Sequence, residues 1–127
     1  MRNKSTFEFA VIRVVPKVER EEFMNVGVLV FSKSKRFLGI KYLLNEQRLK
    51  AFSEEIDLEV LKQYLNAWQL ICEGGAKGGP IGQLETADRF RWLSASKSTI
   101  LQCSETHSGL CDNPEEVLET TFVRYVL

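Results

Sequence analysis

The segment TILQCSETHSGLC, residues 99–111, holds the side chains of this sequence that are best suited to chemistry. It contains the only histidine, His107, with Cys103 four residues before it and Cys111 four residues after it. Structural zinc sites usually take their ligands from two short motifs, each with two Cys or His residues, that converge on the metal. This segment offers one evenly spaced row of three residues and no second motif. An extended segment would also hold the three side chains apart. We therefore predict no metal site and no cofactor here.

The same segment is also a candidate for a catalytic pair. With a single histidine in the chain, any Ser–His arrangement must use His107, and Ser104 lies three residues before it. Gly109, which follows, could free a backbone amide to point at an anion. The simpler alternative is that His107 stabilises a turn by hydrogen bonds to its neighbours. The residues alone leave both readings open.

A second polar group lies near the start of the chain. Arg13 falls within an apolar row of a predicted strand, and it is followed by Arg20, Glu22 and Asn25. A guanidinium in such a row needs an acid or a bound anion, because burying it unpaired costs several kcal/mol. An ion pair between Arg13 and Glu22 is one solution, and a ligand site is the other. Gly27, inside the second predicted strand, indicates a bulge or a close approach.

Hydrophobic patterning predicts the elements that must position these residues. Strands are expected at 6–15, 25–31, 37–44 and 98–104. Asn45, Asp57 and Asn113 are expected to cap helices, a further helical turn or two is expected within 85–95, and 74–83 is expected to be a flexible connection.

The order of these elements predicts the fold. It is β-β-β-α-α-α-β-α, which indicates one α+β domain over residues 1–127. We expect an antiparallel sheet of about four strands with the helices mainly on one face. The other face is then expected to be solvated, covered by a partner or used for binding.

Composition narrows the class of protein. The chain has 127 residues, of which 44% are hydrophobic and 27% charged, as in globular domains. No apolar run is long enough to span a bilayer, the start lacks a secretory signal, and the odd number of cysteines favours a reducing cytoplasm. Residues 1–50 carry 11 Lys/Arg against 5 Asp/Glu, a net charge of +6. Nucleic-acid binding is not expected, because Glu19, Glu21 and Glu22 interrupt this basic half and the whole chain is neutral.

Three stretches together resemble a known family: FEFAVIRVVPKVEREEFMNVGVLVF, RFRWLSASKSTILQCSETHSGL and NPEEVLETTFVRYVL. The resemblance runs from Phe7 to the end of the chain and is to an uncharacterised bacterial family, domain of unknown function number three thousand and thirty-seven. Its pattern falls on Arg13, Pro16, Arg20, Glu22, Phe23, Asn25, Gly27, Arg48, Phe90, Arg91, Trp92, Leu93, Ser98, Thr99, Gln102, Ser104, His107, Gly109 and Leu110. Cys103 and Cys111 are not part of it, which further disfavours a zinc site.

What the resemblance implies is a protein partner. It implies no established activity, but members of the family are often encoded beside a HipA-like serine/threonine kinase. The leading hypothesis is therefore an accessory or regulatory protein-interaction module that uses the open sheet face and its arginine-bearing segments. The alternative is a small enzyme or a nucleotide- or phosphate-binding domain. In that alternative His107 and Glu22 would be catalytic, and the ligand would be held by Arg13, Arg20, Asn25, Arg91 and Ser104.

Overall fold

The computed structural model describes residues 4–95 and 99–127, so Ser98, part of the family pattern and of the predicted fourth strand, lies outside the described residues. One sheet contains five strands: β1 (Ser5–Val14), β2 (Met24–Ser32), β3 (Phe37–Tyr42), β4 (Leu101–Cys103) and β5 (His107–Cys111). The helices are α1 (Glu46–Phe52), α2 (Leu58–Glu73), α3 (Gly79–Gly82), α4 (Thr86–Ser94) and α5 (Pro114–Tyr125). Within these ranges, no helix has the length and apolar character needed to cross a membrane.

The central strand of the sheet is β1. Along one edge it pairs antiparallel with β2, which in turn pairs antiparallel with β3. Along its other edge it pairs with two short strands placed end to end: β4 lies opposite Ile12–Val14, and β5 lies opposite Ser5–Phe9. The predicted antiparallel arrangement of the first three strands is confirmed. The C-terminal part contributes two strands where one was predicted.

Most of the helices cover one face of the sheet. Successive side chains of a strand point to opposite faces, and Ile12 and Val14 of β1 point toward α1, α2 and α4. There they form the main core with fully buried residues of these helices, among them Leu65 and Phe90. The prediction of an α+β domain with helices mainly on one face is confirmed.

The opposite face is partly covered by α5. Val11 of β1 and Val28 of β2 pack against Phe122 and Val126 of α5 in a second, smaller apolar cluster. Because α5 lies mainly against β2 and β3, the helices of the described residues leave the side of this face near β4 and β5 largely uncovered, whereas Val11 of β1 lies beneath α5. The expectation of a free second face is thus corrected to a free half-face.

A β-bulge in β2 decides which way one polar residue points. Ile12 pairs with Gly27, but the next residue of β1, Arg13, pairs with Asn25, so Val26 is the extra residue of β2. The bulge directs the Val26 side chain into the main core and the Asn25 side chain toward α5. There the Nδ2 atom of Asn25 donates to the Tyr125 carbonyl at 3.0 Å. The predicted irregularity at Gly27 is confirmed.

The glycine-rich connection is not the flexible linker that was predicted. Residues 76–82 form a short 3-10 turn followed by α3, and the amide of Gly75 donates to the Gly82 carbonyl at 2.8 Å. A side chain at Gly82 would place its Cβ 2.7 Å from the Gly75 oxygen, so the close approach requires glycine. The segment packs against α2 and α4 instead of separating them.

Candidate functional site

His107 lies at an open edge of the sheet. As the first residue of β5 it pairs with Phe9 of β1, and its exposed ring stands 5.2 Å from the ring of Phe9. The Phe9 ring in turn lies 5.6 Å from that of Tyr125, near the C-terminal end of α5. His107 therefore belongs to an aromatic group on the α5 face, and not to a turn, which was one of the two alternatives that the sequence left open.

Ser104 has a structural position between β4 and β5. Its Oγ accepts a hydrogen bond from the Val11 amide at 2.8 Å and donates to the Glu105 carbonyl at 2.9 Å. Its own amide donates to the Val11 carbonyl at 2.8 Å. Ser104 thus replaces the ladder hydrogen bonds that β1 would lose between the two strands, and the buried hydroxyl is fully engaged. Its placement does not support a Ser104–His107 pair or the predicted role in ligand binding.

Arg13 lies on the α5 face without the acid that was considered for it. Its guanidinium carbon stands 4.0 Å from the centre of the Phe23 ring, a cation–π contact. Within residues 4–95 and 99–127, its buried Nε atom has no hydrogen-bond acceptor and the buried Oδ1 atom of Asn25 has no donor. On both neighbouring strands the residue opposite Arg13 is an amide, Asn25 on β2 and Gln102 on β4.

Glu22 pairs with Arg20 and not with Arg13. The two side chains form an exposed ion pair in the connection between β1 and β2, and the hydrogen bond to Glu22 raises the pKa of Arg20. They line a cavity of about 350 Å³ that also contains Lys17 and Phe52 at the end of α1. This cavity has carboxylates and cations in similar measure, so neither charge is available to a ligand without competition.

Arg91 lies on the opposite face of the sheet from Arg13. It extends from α4 and makes two parallel hydrogen bonds to the carboxylate of Glu8, at 2.8 and 2.7 Å. These bonds raise the pKa of Arg91. The pair lies in an open groove of about 850 Å³ bordered by Phe31 and Ser108. The two parallel N–H groups of Arg91 that could bind a ligand already donate to a carboxylate of the same chain.

The cysteines and the histidine of the opening segment do not converge. Cys103 lies opposite Ile12 and Cys111 opposite Ser5, seven positions apart along β1, which corresponds to about 23 Å. Over residues 4–95 and 99–127, no three His, Cys, Asp or Glu side chains are grouped as metal ligands. Cys72 lies elsewhere, buried in α2.

The seven predicted site residues therefore do not form one site, although Arg13 lies opposite Asn25 and Arg20 pairs with Glu22. His107 and Arg13 share a face, but Phe9 and Arg13 are four residues apart on β1, so the two polar groups stand about 13 Å apart along the strand. Arg20 and Glu22 line a separate cavity, Arg91 is on the other face, and Ser104 is internal to the sheet. Arg20 and Glu22 share one cavity, and Arg91 and Ser104 both line another, of about 610 Å³, but no cavity found in the described part of the chain brings the other predicted residues to either pair.

What the structure assembles instead is an aromatic and polar strip on the open half-face. Two of its rings are well exposed, Phe23 at 46% and Tyr125 at 37%. Asn25 joins its two ends, because it lies opposite Arg13 and donates to the Tyr125 carbonyl. We call this the exposed strip; its residues are Phe9, Arg13, Phe23, Asn25, Gln102, His107 and Tyr125.

Sequence reasoning found only part of the exposed strip. Arg13, Asn25 and His107 were predicted, whereas Phe23 and Tyr125 were not assigned to a site. The period of two along β1 puts Phe9 and Arg13 on one face, which was a usable signal. The missing information was the register of β5 and the position at which α5 ends.

The chain belongs to the family described as "Protein of unknown function (DUF3037)", whose family model matches residues 9–126. The expected family is thereby confirmed. Neither a curated protein nor a solved structure matches the chain.

Proposed function

We propose that this domain is an accessory or regulatory module that binds a protein partner through the exposed strip. The observation that carries the proposal is the strip itself: exposed aromatic rings beside an arginine on a half-face that α5 leaves uncovered. Aromatic residues and arginine are enriched at the energetic centres of protein interfaces, where they bury large areas with little loss of conformational freedom.

The partner we propose is a HipA-like serine/threonine kinase in the cytoplasm. The support for this choice is the resemblance of the chain to a family whose members are often encoded beside such kinases. The exposed strip supplies a surface for it, with one cation, one histidine and three aromatic rings, Phe9, Phe23 and Tyr125. A cavity of about 330 Å³ reaches the strip beside Phe9 and Tyr125, but neither Arg13 nor Phe23 lines it. A protein surface can therefore contact more of the strip than a small molecule bound in that cavity.

The alternative of a small enzyme or a phosphate-binding domain has lost its geometric support. It required His107 to act beside Glu22 and the arginines. The structure separates these groups, and two of the three arginines already pair with acids of the same chain. The geometry therefore favours the interaction module.

The test is a binding measurement on the full chain with a HipA-like serine/threonine kinase. Isothermal titration calorimetry compares the wild type with Phe23→Ala and with Tyr64→Ala, a matched control whose ring is 44% exposed but lies on α2. We expect Phe23→Ala to weaken binding at least about tenfold, which corresponds to about 1.4 kcal/mol, and Tyr64→Ala to leave it unchanged.

Thermal unfolding of each variant controls for folding, because a truncated exposed ring should leave the melting temperature nearly unchanged. Equal affinities for all three proteins would contradict the proposed surface. Absence of binding at micromolar concentrations would contradict the proposed partner.

A further inference from the structure

Arg13 is the centre of the exposed strip and has no acidic partner among the residues that the structure describes. The salt bridges of the described residues join Lys17, Arg20, Lys41, Lys62 and Arg91 to acids, and none of them includes Arg13. Its guanidinium lies over the Phe23 ring, and the residues opposite it on the neighbouring strands are the amides Asn25 and Gln102. The fold therefore holds a half-buried cation in place without neutralising it.

Holding it there is unfavourable for the isolated domain. The Nε–H group is removed from water and finds no acceptor in the described part of the chain, which costs the desolvation of that donor. An apolar residue at this position would continue the row formed by Phe9 and Val11 without that cost. A group outside the described residues that accepts from the guanidinium would remove the penalty.

The orientation of the Arg13 side chain determines which edge of its guanidinium a ligand can reach. One face of the guanidinium lies on Phe23, and Nε is directed into the protein, where it is buried. The two terminal nitrogens are not buried unpaired atoms, and among the described residues no hydrogen bond or ion pair from them is found, so they form the edge that a ligand can reach. Two parallel N–H groups in one plane match the two oxygens of a carboxylate.

The surroundings favour a carboxylate over a phosphate. Arg13 is the only lysine or arginine of the strip, whereas a phosphate dianion is usually held by several donors or cations. The C-terminal end of α5, where Asn25 meets the Tyr125 carbonyl, carries a partial negative charge close to the site. A single negative charge on a planar group is therefore the better match.

We propose that the terminal nitrogens of Arg13 receive the carboxylate of an Asp or Glu side chain of the protein partner, with Phe23 and Tyr125 packing against the residues beside it. This inference rests on the proposed function, since it names the chemistry by which the partner is recognised at that same surface. It assigns Arg13 a binding role and involves no covalent step.

The test reads the Arg13 Nε–H signal directly. Because this proton is shielded from water, it should exchange slowly and give a resolved resonance in a 15N-labelled full chain. The probes are the capped peptide acetyl-Ala-Glu-Ala-amide, the same peptide with Gln in place of Glu, and inorganic phosphate, all at matched ionic strength. The matched control is the Arg13→Lys variant, which keeps the positive charge and loses the two parallel N–H groups. It serves to assign the Arg13 resonance and to test the specificity of carboxylate binding.

We expect the Glu peptide to shift the Arg13 resonance saturably, the Gln peptide to leave it in place, and phosphate to need higher concentrations. We also expect Arg13→Lys to bind the kinase at least about tenfold more weakly. Equal shifts with Gln and Glu peptides, or saturation by phosphate at lower concentration, would overturn the carboxylate assignment. Loss of kinase binding in Phe23→Ala without any peptide shift would overturn this inference and leave the proposed function standing. A shift of the Arg13 resonance by the Glu peptide without kinase binding would overturn the proposed function and leave this inference standing.

Discussion

Replacing Ser104 by alanine tests whether this residue is a structural link or part of a binding site. In the wild type its Oγ is the acceptor for the Val11 amide, at 2.8 Å inside the sheet. Alanine removes the acceptor and leaves Val11, which is only 4% exposed, with an N–H group that water cannot easily reach. The Glu105 carbonyl, which also loses its partner, belongs to an exposed residue and can turn to water.

The expected loss follows from that single unsatisfied donor. Leaving a buried donor without a partner costs about 1–3 kcal/mol. The unfolding entropy of a chain of 127 residues is about 0.27 kcal/mol per kelvin near 60 °C, from about 2.1 cal/mol/K per residue. We therefore expect Ser104→Ala to lower the melting temperature by about 4–11 °C.

The assay is differential scanning calorimetry, with hydrogen exchange at the Val11 amide as a local readout. Ser94→Ala is the matched control, because its Oγ donates to the Phe90 carbonyl within the turn of α4, where the helical hydrogen bond remains. That variant should stay within about 0.5 kcal/mol of the wild type. A Ser104→Ala protein that melts like the control, with unchanged protection at Val11, would refute the structural role.

Two further predictions concern packing and pH. Gly27→Ala should lower the free energy of unfolding, measured in urea, by about 1–3 kcal/mol. The reason is that the new Cβ would stand 2.8 Å from the Lys41 oxygen and 2.9 Å from the Tyr42 Cβ. A free energy of unfolding that is unchanged within error would contradict this close approach. Burial raises the pKa of Cys72 from 9.0 to about 12, so the folded state holds this proton more tightly than the unfolded state. The stability of the wild type relative to Cys72→Ala should therefore be constant below pH 9 and fall as the pH rises toward 12, and a constant difference over that range would refute the shift.

The elements with local signals were predictable from the sequence. The first three strands have regular apolar patterns bounded by proline or charged turns, and their bounds agree to within about two residues. Asn45, Asp57 and Asn113 each accept a backbone amide at the start of a helix, as their positions predict. These signals are local because the partner of each cap is only two or three residues away.

The elements without local signals were not predictable. His107 and Ser108 of β5 are both exposed, so the segment has no alternation of apolar and polar residues and becomes a strand only because β1 offers it an edge. The glycines of 74–83 suggested freedom, whereas the contact between Gly75 and Gly82 closes the segment into a fixed turn.

The same distinction applies to the candidate site. Arg13 was recognisable as an anomaly within one strand. The partner of Arg91 is Glu8, 83 residues away, and only the folded chain brings them together. The predicted polar residues were therefore found individually, but their grouping into one site was not a property of the local sequence.

The division of one edge of β1 between β4 and β5 has a consequence for biosynthesis. Phe9 finds its neighbour His107 only after 98 further residues have left the ribosome. Until then the nascent chain presents the unpaired edge of an apolar strand, which is a template for association with other chains. The sheet is completed late, by pairing between strands that are far apart in the sequence. This domain should therefore fold more slowly than its helical content suggests, and a chaperone should assist its folding during synthesis.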